Sequence, residues 1–234
     1  MKISVVIPAY EARGVGDKLI TELLQSISSQ THKDIEVVIP DHSTSDIIKD
    51  VVSCWQKELT IVHFFNENGR GNSSVNMNAG IKRASGDVIK IMHMDDVFCN
   101  EEALKEIDNA ITNDKTIKWG AFGFQHNYEY ENSIRQIMMP TIFFNPLIGC
   151  SALLGCPSVS FFVNEENLFD ENLIIINDVD MHYRLEKKYG TPHFFNDVSV
   201  TIRMHNNQVT KILDNYPQKE SKEIEYFKTK ITTL

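Results

Sequence analysis

The most informative chemical feature of this 234-residue sequence is a pair of adjacent carboxylates, Asp95 and Asp96. The pair follows residues 88–92, an apolar run that is typical of a buried strand. Two neighbouring carboxylates repel each other unless a cation or several hydrogen-bond donors compensate their charge. Because hard divalent ions prefer oxygen ligands, the pair predicts a metal site at the end of this strand. An acidic cap for the next helix is the structural alternative.

Three further polar residues could contribute chemistry. Asp178 begins an apparent helix, where its carboxylate could act as a general base or only cap the helix. His205 ends an apparent strand and could contact a metal or a diphosphate, although a lone histidine is more often structural. Asp41 follows another buried strand, in a short polar segment that also suits a plain turn.

A glycine-containing loop, ENGRGNSS at residues 67–74, allows close approach of the backbone to a polar ligand. The loop matches neither GxGxxG nor GxxxxGK[ST]. A dinucleotide fingerprint and a P-loop are therefore excluded here.

Alternating strands and helices must position these residues in the first half of the chain. The apparent strands lie at residues 3–7, 35–39, 61–65 and 88–92. The apparent helices lie at residues 19–27, 47–55 and 73–85, with Gly86 as the expected C-terminal cap of the third. Strands separated by helices predict crossover connections and a parallel sheet. Since ligands bind beyond the carboxyl ends of such strands, four polar segments should share one rim: residues 8–11, 41–43, 66–72 and 93–96.

The second half of the chain has a less regular pattern. Apparent helices lie at residues 101–111 and 178–188, and aromatic strand-like pieces lie at residues 121–124, 160–163 and 193–195. We expect them to complete the same sheet, giving an α/β fold with a mostly parallel, Rossmann-like sheet and a mixed C-terminal half. Residues 217–234 place Ile224, Phe227 and Ile231 on one helical face, which should dock on the same domain.

Composition limits the classes of partner. With 23 basic and 32 acidic residues the formal charge is −9, so nucleic acid is not an expected partner. The four cysteines have no disulfide or zinc-site spacing, which fits a reducing cytoplasm. No apolar run is long enough to predict a membrane span. Peripheral membrane contact and homo-oligomerisation are left open.

Six segments resemble, in order, the motifs of the family 2 glycosyltransferases, which are inverting enzymes with the GT-A fold. The segments are VVIPAYEA, QTHKDIEVVIPDHSTSD, NMNAGIKRASGD, IMHMDD, NDVDMHYRL and RMHNNQVT. The resemblance implies a GT-A domain at residues 1–210, with a nucleotide-binding half of about residues 1–98 and an acceptor half of about residues 99–210. A helical tail at residues 211–234 would follow.

The same resemblance implies a role for each matched residue. Asp96 and His205 would hold a divalent ion, Mn²⁺ or Mg²⁺, and Asp178 would be the catalytic base. The residues implied to bind the nucleotide sugar are Pro8, Ala9, Tyr10, Glu11, Asp41, Asn78 and Asp95. The implied reaction transfers a hexose from a nucleoside-diphosphate sugar, UDP-sugar being the first choice, to a hydroxyl of a saccharide or lipid-linked saccharide. Polysaccharide biosynthesis is the implied setting.

Three positions depart from the family's motifs. Pro40 replaces an aspartate after the second strand, His93 replaces the first acid of the metal motif, and Met77 replaces a basic residue. Arg70 or Arg83 could supply the missing positive charge. The departures leave open a nucleotide-sugar binding protein without catalytic activity. A sugar-phosphate nucleotidyltransferase is disfavoured, because the chain lacks the glycine-rich basic loop that would hold a nucleoside triphosphate.

Overall fold

A computed structural model describes residues 1–128, 134–153, 155–206, 208 and 215–232. Its strands are β1 Ile3–Val6, β2 Ile35–Asp41, β3 Ile61–Phe65, β4 Val88–Ile91, β5 Val97–Phe98, β6 Trp119–Tyr128, β7 Ile134–Met138, β8 Ile142–Asn145, β9 Cys150–Leu153, β10 Ser160–Val163 and β11 His193–Met204. Its α-helices are α1 Gly16–Ser28, α2 Ile47–Trp55, α3 Ser73–Ile81, α4 Ala103–Asn113, α5 Asn177–Tyr189 and α6 Tyr216–Ile231. A short 3₁₀ turn, Pro157–Val159, precedes β10.

A nine-stranded sheet forms the centre of the protein, in the order β3-β2-β1-β4-β10-β6-β11-β5, with β7 paired to β6. The first four strands in this order are parallel, as the alternation of strands and helices predicted. Strand β10 then runs antiparallel between β4 and β6, while β6 and β11 are parallel to each other. Strands β8 and β9 form a separate two-stranded sheet. The predicted mostly parallel sheet with a mixed C-terminal half is confirmed.

Hydrophobic burial explains the regular first half. Every residue of β1 is buried, which is the pattern typical of a parallel strand covered on both faces. Helix α1 buries Ile20, Leu23, Leu24 and Ile27, whose spacing places them on one face. These side chains belong to one large core beneath the sheet. Among the described residues, no helix has the length and apolar character needed to cross a membrane.

The predicted end of the third helix is wrong. Helix α3 ends at Ile81, and Gly86 does not have the positive φ angle of a helix-capping glycine. Instead the N–H of Gly86 donates to Ser4 Oγ at 2.8 Å, and a Cβ at this position would clash with Ser4. The glycine is therefore needed because the chain approaches β1 closely. Strands β5, β7, β8 and β9 were not predicted.

Helix α3 lies directly on β1 and β2 at Gly80. A Cβ atom on Gly80 would overlap Val6 Cγ1 and would lie 3.1 Å from Pro40 Cγ. Both neighbours are buried, so moving them away would disturb the packing around them. Gly80 thus sets the distance between the helix and the strands that carry the predicted rim.

We predict that Gly80→Ala destabilises the protein by about 1–3 kcal/mol, because overpacking outweighs the better helix propensity of alanine. Urea denaturation measures the difference. The control is Ala79→Ser, at the partly exposed neighbouring position, which should change stability by less than about 0.5 kcal/mol. Equal transition midpoints for the two variants would contradict the close packing of α3.

Candidate active site

A cavity of about 400 Å³ lies beyond the carboxyl ends of the parallel strands. All four polar segments predicted to share a rim contribute to its lining, through residues 8–11, 42, 71 and 93–96. Residues Cys156, Pro157, Asn177 and Asp178 close it from the second half of the chain. A larger cavity, about 640 Å³, lies beside β9 and the end of α5, and no predicted site residue lines it.

The structure brings most of the predicted site residues to the smaller cavity. Those that line it are Pro8, Ala9, Tyr10, Glu11, Asp95, Asp96 and Asp178. His205 does not line the cavity, but its Nε2 lies 3.2 Å from Asp95 Oδ2. Asp41 and Asn78 lie outside the lining, and their contacts with a nucleotide sugar stay predictions.

Asp41 is fully buried at the end of β2. Its carboxylate accepts the N–H of Ser43 at 2.8 Å and lies 3.0 Å from His63 Nε2. These contacts hold the turn that presents the next residue, His42, to the cavity. Asp41 therefore stabilises the turn at the rim without lining the cavity itself.

Asn76 supports the floor of the cavity and was not among the predicted residues. Its amide nitrogen donates to the carbonyl oxygens of Pro40 at 3.0 Å and Ala9 at 3.3 Å, and its oxygen accepts from Asn66 at 3.1 Å. The side chain therefore joins the ends of β1 and β2. The sequence did show an asparagine-rich helix here, which was the signal available for finding it.

Asn78 faces the other side of the same helix. Its side chain accepts the N–H of Phe169 at 2.8 Å and donates to the carbonyl oxygen of Phe169 at 2.9 Å and to Glu171 Oε1 at 3.0 Å. These bonds attach α3 to the segment that leads to α5. In the described structure this asparagine links the two halves of the chain.

The basic residue missing at Met77 has one candidate substitute. Met77 is fully buried in the core, and Arg83 stacks on the ring of Phe64 at 3.5 Å. Arg70 is exposed in the loop beside the cavity. Burial lowers the pKa of His42, and the nearby charge of Arg70 lowers that pKa further. Of the two arginines, only Arg70 is therefore close to the rim.

Arg203 of β11 fixes the backbone around the paired carboxylates. Its Nε donates to the carbonyl oxygen of Asp95, and its Nη2 lies 3.4 Å from that of Met94 and 3.2 Å from that of Leu19. Together with the contact between His205 and Asp95, this arginine holds the acidic turn against β11. Sequence reasoning missed Arg203, although it lies two residues before the predicted His205.

Asp96 is buried and lies beside two other side chains of types that can ligate a metal ion. Burial, together with the Asp95 charge, raises the pKa of Asp96 well above its usual range. Cys156 Sγ lies 3.8 Å from Asp96 Oδ2. The Nε2 atom of His93 is buried and has no hydrogen-bond partner among the described residues. Ligand atoms of His93, Asp96 and Cys156 lie within 4.8 Å of one another.

This donor set fits a divalent ion. A cation would compensate the buried carboxylate and would give the imidazole nitrogen the partner that it lacks. The sequence predicted Asp96 and His205 as ligands, and the described contacts place His93 and Cys156 closest to Asp96 instead. His205 as a ligand stays a prediction. Cys156 lies 60 residues from Asp96 in the chain, and no spacing rule pointed to it.

Asp178 lies in the first turn of α5 and faces the cavity. Its Oδ1 accepts the N–H of Val179 at 2.8 Å. Burial raises the pKa of Asp178 to about 6. A carboxylate with such a pKa can hold a proton reversibly near neutral pH, which is the property required of a general base.

Helix α6 holds the segment that leads into Asp178. The carboxylate of Glu223 accepts three consecutive backbone N–H groups, those of Ile174 at 3.0 Å, Ile175 at 2.8 Å and Ile176 at 3.1 Å. These donors lie just before α5, where no helical carbonyl can satisfy them. Because Ile174 and Ile175 line the cavity, Glu223 shapes its wall.

A second, smaller core anchors α6. Phe227 is fully buried there beside Leu173 and Ile176, and Ile224 and Ile231 pack against the same cluster. The expected docking of this apolar face on its own domain is confirmed. Lys230 adds hydrogen bonds to Asp180 at 2.5 Å and to Asp170 at 2.7 Å.

Comparison with solved structures identifies the fold class. The chain superposes on residues 1–349 of TarS from Staphylococcus aureus in complex with UDP, with a TM-score of 0.67 and 18% identity, covering 94% of this chain and 69% of that one. It also superposes on a mannosyltransferase from Pyrobaculum calidifontis, in complex with GDP-mannose and Mn²⁺, with a TM-score of 0.62 and 16% identity, over 87% and 56% of the two chains. The fold is that of the GT-A glycosyltransferases.

Sequence comparison identifies the family. The family described as glycosyl transferase family 2 matches residues 4–168, and the chain belongs to this family. An uncharacterised glycosyltransferase of Rickettsia conorii is 26% identical over 229 residues, which cover 92% of this chain but 36% of the relative. The GalNAc(5)-diNAcBac-PP-undecaprenol β-1,3-glucosyltransferase of Campylobacter jejuni is 32% identical over 96 residues, covering 41% of this chain and 30% of the relative. The chain thus spans about a third of the length of these relatives.

We predict that Glu223→Ala accelerates hydrogen exchange at the amides of Ile174, Ile175 and Ile176 by at least about tenfold. Hydrogen bonds to a charged acceptor contribute about 1.5–3 kcal/mol, and their loss lets the segment open more often. Mass spectrometry of exchanged peptides gives the rates. Glu225→Ala is the matched control, since Glu225 is exposed and pairs only with Lys228 among the described residues. Unchanged exchange in Glu223→Ala would contradict the role of this carboxylate.

Proposed function

We propose that this chain is a metal-dependent, inverting glycosyltransferase that transfers a hexose from a UDP-sugar to a hydroxyl of a saccharide or lipid-linked saccharide. The observation that carries the proposal is the position of Asp96 and Asp178 in one cavity. Asp96 lies at the carboxyl end of β4, where parallel sheets bind ligands, and Asp178 approaches from α5. One carboxylate thus serves the donor and the other serves the acceptor.

The nucleoside would bind along residues 8–11 and His42. Tyr10 offers an aromatic ring at the rim, and Arg70 offers positive charge close to His42. The loop around Thr44 is held in place by Glu11, whose carboxylate accepts the Thr44 N–H at 3.0 Å and hydroxyl at 2.7 Å. The choice of uridine is supported by the UDP complex of TarS.

Asp96, His93 and Cys156, whose ligand atoms lie within 4.8 Å of one another, would hold the divalent ion. A bound ion would stabilise the negative charge of the departing diphosphate. The proposal is supported by the Mn²⁺ in the mannosyltransferase structure with the same fold. Asp95, held by His205 and Arg203, lies beside Asp96 and would contact the ribose.

Asp178 would accept the proton of the attacking hydroxyl. The acceptor oxygen forms a bond to the anomeric carbon while the bond from that carbon to the diphosphate oxygen breaks, so the sugar is inverted in one displacement. The proton passes from the acceptor hydroxyl to the Asp178 carboxylate and then to solvent. Ile174, Ile175 and Tyr216 line this side of the cavity and would contact the acceptor.

A lipid-linked saccharide is one acceptor class that fits the proposal. It is supported by the undecaprenol-linked substrate in the name of the Campylobacter jejuni relative. A soluble saccharide would use the same hydroxyl chemistry. An acceptor panel with both classes separates them.

The test of the proposal is calorimetry with UDP-sugars and GDP-sugars, each with Mn²⁺ and with EDTA. Metal-dependent binding of one nucleotide series, lost in Asp96→Ala, would support the proposed donor site. Such a ligand at a hundred times its Kd stabilises the fold by about 2.7 kcal/mol, which thermal unfolding also detects. Binding without turnover across the acceptor panel would favour a non-catalytic nucleotide-sugar binding protein. Absence of any nucleotide response would overturn the proposal.

We predict that Asp178→Asn lowers kcat by about 10²–10⁴-fold and leaves the Kd for the donor nucleotide within about twofold. The asparagine keeps the shape of the side chain but cannot accept the proton. Steady-state kinetics and calorimetry measure the two quantities. Asp50→Asn, an exposed aspartate in the first turn of α2, is the control and should leave both unchanged. Equal losses in kcat and affinity would contradict the role of Asp178 as base.

We predict that kcat rises with pH through about 6 and becomes constant above it. The raised pKa of Asp178 means that the carboxyl is mostly protonated, and inactive as a base, below about pH 6. Rates at saturating donor and acceptor between about pH 5 and pH 8 give the profile. A rate that is constant down to pH 5 would show that another group accepts the proton.

A further inference from the structure

Two side chains beside Asp96 change the chemistry expected of its metal site. His93 stands at the position where the family's motif usually has an acid, and Cys156 comes from the turn before β10. One nitrogen donor, one sulfur donor and one carboxylate oxygen therefore lie within 4.8 Å of one another. Oxygen-only sites suit Mg²⁺, whereas imidazole and thiolate ligands favour Zn²⁺, Co²⁺ and related ions.

A buried hydrogen bond links the two segments that carry the unusual ligands. The backbone N–H of His93 donates to Ser158 Oγ at 2.9 Å, which ties the end of β4 to the turn that contains Cys156. Ser158 is fully buried, so this link is protected from water. The His93 ring nitrogen Nε2 is left without a partner among the described residues, although it is buried. A buried donor or acceptor without a partner requires an explanation, and a metal ion supplies one.

We propose that His93, Asp96 and Cys156 form a mixed nitrogen, oxygen and sulfur site that binds a transition-metal ion such as Zn²⁺ or Co²⁺ in preference to Mg²⁺. On binding, the Cys156 thiol releases its proton to solvent as the bond from sulfur to metal forms. Three protein ligands leave coordination positions free, as in catalytic zinc sites. The inference deepens the proposed function, because it assigns the class of ion that would face the donor diphosphate.

The test is a titration of the metal-free protein with Co²⁺, followed by absorption spectroscopy without any nucleotide. A thiolate bound to Co²⁺ produces a charge-transfer band in the near ultraviolet, and oxygen-only coordination does not. We expect this band in the wild-type protein, and we expect it to persist in about a hundredfold excess of Mg²⁺. A spectrum of oxygen-only coordination in the wild-type protein would overturn the proposal.

Three variants assign the ligands. Cys156→Ser should lose the band and bind Co²⁺ at least about tenfold more weakly. His93→Gln should weaken binding by a similar factor while keeping the band. Cys54→Ser removes an exposed cysteine on α2 and should retain both the band and the affinity. A wild-type band in Cys156→Ser would contradict the role of that thiol.

An X-ray absorption spectrum of the Co²⁺-loaded wild-type protein keeps the proposal testable even if a variant fails to fold. It should show one sulfur neighbour of the ion, and a first shell without sulfur would overturn the assignment. The titration needs neither nucleotide nor acceptor, so the two proposals can fail separately. A thiolate band without nucleotide binding would leave the metal site standing and remove the proposed function. Mg²⁺-dependent nucleotide binding that Cys156→Ser does not alter would support the proposed function and overturn the mixed-ligand metal site.

Discussion

The rest of the site depends on two hydrogen bonds accepted by the buried residue Ser158. Its hydroxyl oxygen accepts the N–H of His93, and its carbonyl oxygen accepts from the ammonium group of Lys90 in β4. Lys90 is itself fully buried, and burial lowers its pKa to about 7. A buried amine without hydrogen-bond acceptors would be costly. The hydrogen bond to the Ser158 carbonyl oxygen therefore satisfies the Lys90 amine and also fixes the turn at Ser158. This pair brings Cys156 to Asp96 and joins the parallel half of the sheet to the mixed half.

Asp96 and Asp178 are positioned by two different hydrophobic cores. Asp96 follows β4, whose side chains belong to the large core beneath the parallel strands. Asp178 follows a segment held by Glu223 and by the small core around Phe227. Asp96 is therefore positioned by the central sheet, whereas the position of Asp178 depends on one helix packed against a short segment. A substitution in α6 can therefore move Asp178 while residues 8–11 and 93–96 keep their positions.

Features that arise from local sequence patterns could be predicted, whereas features that arise from contacts between distant parts of the chain could not. Strands β1 to β4 consist mostly of β-branched and other apolar residues, so their pattern is visible in the sequence. The rim at their ends follows from the topology. Strand β5 has only two residues, too few for any periodicity. Asn76 and Asn78 are two positions apart, about 200° around a helix, so the choice between them depended on the orientation of α3. The approach of Cys156 to Asp96 results from antiparallel pairing of β10 with β4, which local patterns do not contain.

The position of β10 also affects how the chain folds while it is being synthesised. Strand β4 pairs with β1 on one side and with β10 on the other, and β10 lies about 70 residues later in the chain. On the ribosome, one edge of β4 is therefore an unpaired template for other chains until residues 160–163 emerge. Lys90, in the middle of that edge, is charged while it is exposed and becomes buried when β10 arrives. The same lysine that fixes the finished turn thus puts a charge on the open edge, which disfavours pairing with other chains.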